Sequence, residues 1–180
     1  MAKRFSELSD QHIRFIAKQK MFFVGTAAAE GRVNVSPKGM DTLRVLDQHR
    51  VVWLSVTGSG NESAAHIQQN PRMTIMFCAF EGLPLILRLY GTARVIYPRD
   101  AAWDELVALF PSLPAMRQIF DLKVELVQTS CGEAVPLYHY VGDRNNLNEW
   151  AINKGEEGIH QYWEEKNQVS LDGFETHILG

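Results

Sequence analysis

Two cysteines in 180 residues, Cys78 and Cys131, are too few for a disulfide framework. The six histidines (His12, His49, His66, His139, His160 and His177) show no ligand spacing with one another or with the cysteines. Neither HExxH nor CxxC occurs, so the common zinc signatures are excluded. GxSxG is missing, which removes the usual serine-hydrolase elbow. GxxxxGK[ST] and GxGxxG are missing too, which removes the Walker and dinucleotide loops. No apolar run approaches the roughly 18 residues of a membrane span. The net charge is only −3 and the basic residues are scattered, unlike the basic stripe of a nucleic-acid-binding protein. The N-terminal "MAKRFSELSDQH" has two basic residues but no apolar block behind them, so it does not read as a secretory signal. The expectation is a soluble, cytoplasmic protein with reduced thiols.

The hydrophobic share of 46% and charged share of 22% are near the globular average, enough for one core. Residues 9 to 19 predict a short helix capped by Ser9 or Asp10. "MFFVGTAA", the turn "EGR" and "RVNVS" predict a hairpin, and "TLRVLD" and "RVVWLSV" predict two more strands. A short helix spans Ser59–Asn70, followed by the apolar strand "RMTIMFCAF". "LILRLYGTARVIY" is the longest strand candidate, and its internal Gly91 implies a bend, a bulge or a close approach. Helices are expected from Pro98 to Phe110 and from about Pro114 to Phe120, before "LKVELVQTS" returns to alternation. A polar helical extension begins near residue 143, and the last dozen residues have no period. The sum is a single mainly β (α+β) domain of six to seven antiparallel strands with short flanking helices. Closure into a small barrel would remove its exposed edges.

The most informative stretch is "VVWLSVTGSGNESAAHIQQNPRM". A strand ends near Val56, a Gly/Ser-rich turn follows, and a helix begins near Asn61. The first N–H groups of a helix have no internal partner, and the peptide dipoles add positive potential there, so a phosphate is a natural occupant. Ser59 and Asn61 would add side-chain donors, but a helix cap and a tight turn explain the same residues. Lys38, at the end of "VSPKG", could offer a point charge to a phosphate or simply be solvated beside a turn. Arg88 and Arg94 share one strand face, which requires pairing if that face is inside and nothing if it is outside. Cys131 is a candidate nucleophile with no base near it in sequence, and an inert thiol explains it equally. His66 reads as a surface or packing residue.

Taken as an ordered set, "RVNVSPKG", "VVWLSVTGSGNESAAHIQQNPRMTIMF", "LRLYGTARVI" and "VQTSCGEAVPLYHYVGDRNNLNEWA" resemble the pyridoxamine 5′-phosphate oxidase-like, FMN-binding split β-barrel family. The resemblance implies a homodimer with FMN at the subunit interface. It places ribityl and isoalloxazine contacts at Val35, Ser36, Pro37, Lys38, Leu54, Ser55 and Val56. It places the phosphate at Ser59 and Asn61, where family members often have a basic residue and this chain has a neutral one. Arg88 and Gln128 are further candidates for the cleft, with the partner chain as one route by which they reach it. The family's true oxidases carry a C-terminal Arg-x-His pair for the substrate phosphate, and "DGFETHILG" lacks it. The resemblance therefore implies an FMN-dependent oxidoreductase acting on a small molecule other than pyridoxamine phosphate, with NAD(P)H as an electron source. The alternatives are a non-catalytic barrel that binds flavin, deazaflavin or haem, and an unliganded structural dimer.

Overall fold

The computed structural model describes residues 2–180. The described residues form eight strands and four helices. They are β1 (Lys3–Phe5), α1 (Asp10–Ile16), β2 (Phe22–Thr26), β3 (Asn34–Lys38), β4 (Leu43–Asp47) and β5 (Arg50–Val56), then α2 (Glu62–Gln69), β6 (Arg72–Cys78), β7 (Ile86–Ile96), α3 (Trp103–Val107), β8 (Met116–Ser130) and α4 (Asn146–Lys166). The expected hairpin forms as β2–β3, and the two further strands pair as β4–β5. Every ladder is antiparallel, in the order β3-β2-β6-β7-β8-β5-β4, with β1 added to the far half of β8.

That order forces curvature. β3 and β4 are the two ends of the sheet, yet only residues 39–42 separate them in the chain. So short a link reaches at most about 18 Å. Seven strands laid flat would put the end strands roughly 29 Å apart. The sheet therefore rolls up until its ends meet, and the link turns through Met40 and Asp41, both left-handed, with φ of 64° and 54°. No ladder joins β3 to β4 in the strand order, so the barrel is split along this seam.

The inward face carries the main core. Phe22, Val24, Trp53, Ile75, Phe77, Leu87, Leu89, Phe120, Leu122 and Val124 come from five strands and are buried together. On the other face of β5, β7 and β8, a second cluster of Val52, Leu54, Ile96 and Ile119 is covered by Leu106 and Phe110, in and just beyond α3. Ser9 caps α1: its hydroxyl accepts the His12 N–H, while His12 Nδ1 accepts the Ser9 N–H.

Three expectations need correction. There are eight strands rather than six to seven; the addition, β1, has three exposed residues and no alternation to betray it. The helix expected at 114–120 does not form, because β8 starts at Met116. Ile119 and Phe120 are buried in opposite cores, an arrangement that period-2 backbone provides between β5 and β7. α3 is one short turn, and α4 is broken at Gly155, whose φ is 67°. The aperiodic end of the chain is docked, with Asn167, Ser170, Thr176 and Ile178 buried.

Gly91 sits at a register shift between β7 and β8, and a Cβ there would lie 1.8 Å from the Lys123 carbonyl oxygen. This is the close approach that a glycine inside a strand implies. Gly91→Ala is expected to destabilise the fold by roughly 3 kcal/mol. Urea denaturation checks this, and an unchanged midpoint would show that the bulge accommodates a side chain.

Candidate functional site

β5 ends where its ladder partner ends. The Thr57 N–H and hydroxyl both donate to the Ala115 carbonyl, at 2.9 Å each, just before β8 begins. Gly58, Ser59 and Gly60 then turn the chain into α2, whose N-cap position is Asn61. The Asn61 side chain makes no cap hydrogen bond. It pairs instead with the buried amide of Gln118 on β8: Gln118 Nε2 donates to Asn61 Oδ1 at 2.6 Å and Asn61 Nδ2 donates to Gln118 Oε1 at 3.3 Å. One amide hydrogen and the backbone N–H of Asn61 remain for a ligand.

This junction forms one wall of a cleft of about 270 Å³. Asn34, Ser36 and Lys38 of β3 form the opposite wall, so the cleft bridges strands from the two halves of the rolled sheet. Trp53 and Phe120 also line it, stacked with ring centroids 4.5 Å apart. Lys38 Nζ lies 5.1 Å from the centre of the Trp53 ring.

The dominant group is Arg117, only 4% exposed. Its Nη1 donates to the Gly60 carbonyl at 3.0 Å and to Asn167 Oδ1 at 2.8 Å, and its Nη2 donates to Ser55 Oγ at 3.3 Å. Its Nε, also buried, has no acceptor among the described residues. None of these partners is a carboxylate. Burial pushes the Arg117 pKa down to about 10, so the group is still cationic at neutral pH. Burial, and then the charge of Arg117, push Lys38 down to about 8. The one carboxylate lining the cleft, Glu62, accepts the Leu171 N–H with both oxygens, at 3.0 and 3.1 Å.

Elsewhere the protein neutralises its buried charge. Asp121 takes hydrogen bonds from both Arg50 and Arg94. Burial alone would raise its pKa, but the two guanidiniums outweigh that and lower it. The cleft is the contrary case, lined by two cations and the start of a helix. Such a set has the chemistry to hold an anion with several acceptor oxygens.

Of the residues expected from sequence, Ser36, Lys38, Ser55, Val56, Ser59 and Asn61 line this cleft. Val35 and Pro37 alternate with the lining residues of β3 and are exposed. Leu54 points to the α3 side of the sheet. Arg88 and Gln128 face each other across β7 and β8, ten residues along β8 from Gln118, or roughly 30 Å. Arg88 donates to Ser130 and Gln128 accepts from Tyr90, so within one chain neither reaches the cleft. Cys131 is exposed beyond the end of β8. His66 is buried rather than at the surface, its Nδ1 3.1 Å from the Thr26 hydroxyl.

Arg117 and Gln118 were missed because their segment reads as helix, which would have placed them on a surface. The alternation of Phe120, Leu122 and Val124, carried two residues back, puts Gln118 on the inward face and was the available signal.

A stability consequence follows from Lys38. Its native pKa of about 8 lies below the unfolded 10.5, so the unfolded chain binds more protons between these values. Stability should therefore rise with pH from about 8 to 10.5, having been lowered by a constant amount below that window. Lys38→Met should be more stable than the natural chain at pH 7 and lack this component of the rise. Urea titrations of both proteins across the window check it, and parallel pH profiles would show that Lys38 is solvated.

The profile of the family described as pyridoxamine 5′-phosphate oxidase matches residues 8–131. The Aspergillus flavus pyridoxamine 5′-phosphate oxidase family protein ustO is 36% identical over 190 residues, covering 94% of this chain and 75% of that protein. Among solved structures, a single-substitution variant of HupZ from Group A Streptococcus is similar with a TM-score of 0.54 at 20% identity, covering 68% of this chain and 98% of that one. A Lactobacillus delbrueckii protein provisionally described as a pyridoxamine 5′-phosphate oxidase is similar with a TM-score of 0.55 at 20% identity, covering 68% and 94%. The two structures speak for the split-barrel fold, and the profile and the fungal relative speak for descent. The chain belongs to the pyridoxamine 5′-phosphate oxidase family.

Proposed function

We propose that the cleft binds the phosphate end of FMN and that the protein is a homodimeric, cytoplasmic flavin oxidoreductase. The observation that supports this most is Arg117, a buried guanidinium without a carboxylate, set beside Lys38 and the start of α2. In this reading Arg117 and Lys38 supply the positive charge that the neutral Asn61 does not. The backbone amides of Ser59 and Asn61 and the hydroxyls of Ser55 and Ser59 complete the donor set. The residues fit a phosphomonoester better than a neutral ligand, since a neutral ligand would leave both charges uncompensated.

The size of the cleft supports the dimer. Its 270 Å³ is at the lower edge of the roughly 300–1,000 Å³ typical of small-molecule sites. One chain has room for the phosphorylated tail of FMN, while the ring system needs a second wall. A partner subunit would supply that wall, and this is how Arg88 and Gln128 could approach the flavin. Ser36 and Lys38 on one side and Val56 on the other would orient the ribityl chain. When bound, flavin supplies the two-electron redox chemistry itself, and the protein supplies position and a dry cleft. The substrate is a small molecule, with NAD(P)H as the proposed electron donor. Pyridoxamine phosphate is not the proposed substrate, because no Arg-x-His pair occurs within these 180 residues.

Protein purified without added cofactor should show flavin absorbance, and NADH or NADPH should bleach it. Colour without bleaching would indicate a flavin carrier instead. Arg117→Gln should weaken FMN binding about 10- to 100-fold, the loss expected for hydrogen bonds to a charged group. Riboflavin binding should be unchanged. FMN affinity should also fall as pH rises through about 8, as Lys38 loses its proton, and Lys38→Met should lack that fall. A natural chain that binds no flavin ends this reading, and equal FMN affinity in Arg117→Gln ends the phosphate assignment.

A further inference from the structure

The residues that hold Arg117 include a segment outside the family match, which ends at residue 131. Asn167, fully buried, terminates α4. Its Oδ1 accepts from Arg117 Nη1 at 2.8 Å, and its Nδ2 donates to the Gly58 carbonyl at 3.1 Å. Its own carbonyl accepts the Thr176 hydroxyl at 2.6 Å, and the Thr176 N–H donates to the Gln168 carbonyl at 2.8 Å. The tail is fixed in turn to the body of the protein. Tyr97 donates to the Thr176 carbonyl, Glu62 accepts the Leu171 N–H, and Arg32 pairs with Asp172. One helical turn earlier, Trp163 Nε1 donates to the Thr57 hydroxyl at 2.8 Å.

These contacts settle which way the turn faces. In a trans peptide the carbonyl and the following N–H point in opposite directions. Asn167 holds the Gly58 carbonyl, so the Ser59 N–H points away from the tail. Arg117 holds the Gly60 carbonyl, so the Asn61 N–H points away from the guanidinium. The carbonyl oxygens that would repel an anion are thus occupied, and Asn167 anchors both the turn and the guanidinium.

The chemical identity of this anchor matters. An aspartate would have nearly the same shape, would still accept from Arg117 and would add a buried ion pair, at the loss of the donor to the Gly58 carbonyl. It would also neutralise the guanidinium. The protein uses that solution at Asp121, between Arg50 and Arg94. At 167 it has the uncharged amide. We propose that the tail segment 167–176 is a clasp that orients Arg117 without cancelling its charge, and that Asn167 thereby makes the cleft discriminate phosphorylated from unphosphorylated flavin. Asn167 is a positioning residue. The ligand identity rests on the FMN reading above, whereas the charge argument concerns this chain's own residues.

The test compares the natural 180-residue chain with Asn167→Asp, Asn167→Ala and Thr176→Val. Kd values for FMN and for riboflavin are measured by flavin fluorescence, along with the Tm of the ligand-free proteins with and without inorganic phosphate. For Asn167→Asp the expected result is a ligand-free Tm equal to or above that of the natural chain, an FMN affinity lowered about tenfold or more, and an unchanged riboflavin affinity. A merely structural amide predicts a lowered Tm, from the lost donor to the Gly58 carbonyl, and equal losses of FMN and riboflavin affinity. An FMN-to-riboflavin preference in Asn167→Asp equal to the natural one therefore overturns the proposal. Asn167→Ala should lower both the Tm and the preference. Should neither Asn167 variant fold, Thr176→Val decides: it loosens the clasp and should reduce the preference several-fold, and an unchanged preference overturns the proposal. If the natural chain binds neither flavin, the FMN reading fails by itself. Phosphate then decides the clasp: a rise in Tm that is present in the natural chain and absent in Asn167→Asp supports it for another phosphorylated ligand, and no rise in either overturns it.

Discussion

A cation held in the interior without a counter-charge is the constraint around which this molecule is organised. Taking a guanidinium out of water is unfavourable unless its N–H groups find oxygen atoms and its charge finds compensation. Arg117 finds a serine hydroxyl, a turn carbonyl and an asparagine amide, all neutral dipoles. Its charge remains uncompensated, and burial lowers its pKa accordingly. Strand β8, the turn after β5 and the C-terminal tail each contribute to holding this one group. The neighbouring Lys38 feels the same field, which is why two ordinary basic side chains acquire the character of an anion receptor.

The location follows from topology. Because β3 and β4 are adjacent in the chain but terminal in the sheet, the barrel has a seam without backbone hydrogen bonds. Side chains from β3, β5 and β8 converge near this seam, and the opening is shaped by side chains rather than by a backbone ladder. Binding sites in rolled antiparallel sheets fall naturally at such discontinuities, since packed strands elsewhere exclude a ligand. The outward face of β3 presents Val35, 65% exposed and hydrophobic, next to this opening.

Most of the architecture was legible because it is local. The hairpins of β2–β3 and β4–β5 are written in alternation and turn residues, the β5–turn–α2 junction in its glycines and serines, and Gly91 in its position inside an apolar strand. Six of the residues expected in the cleft lie on those local features. What escaped was non-local. Arg117 sits in a stretch whose short-range pattern suits a helix, and only its pairing with β5 and β7 makes it a strand. Asn167 closes a polar helix, and its role depends on a partner 50 positions away. Val35 and Pro37 are exposed on the other face of β3 and Leu54 lies on the α3 side of β5, so within one chain their side chains do not line this cleft. Asn61 was in the right place for a different reason, its pairing with Gln118.

β8 receives β7 along its length, β5 on its first half and β1 on its last. Its C-terminal end lies more than a hundred residues after Lys3, with which β1 pairs it. During synthesis β1 therefore waits, unpaired, until residues 127–129 have left the ribosome. Contacts this far apart in sequence also slow folding. The exposed, charge-bearing brevity of β1 (Lys3 and Arg4 in three residues) suits a segment that must avoid foreign strand edges in the meantime.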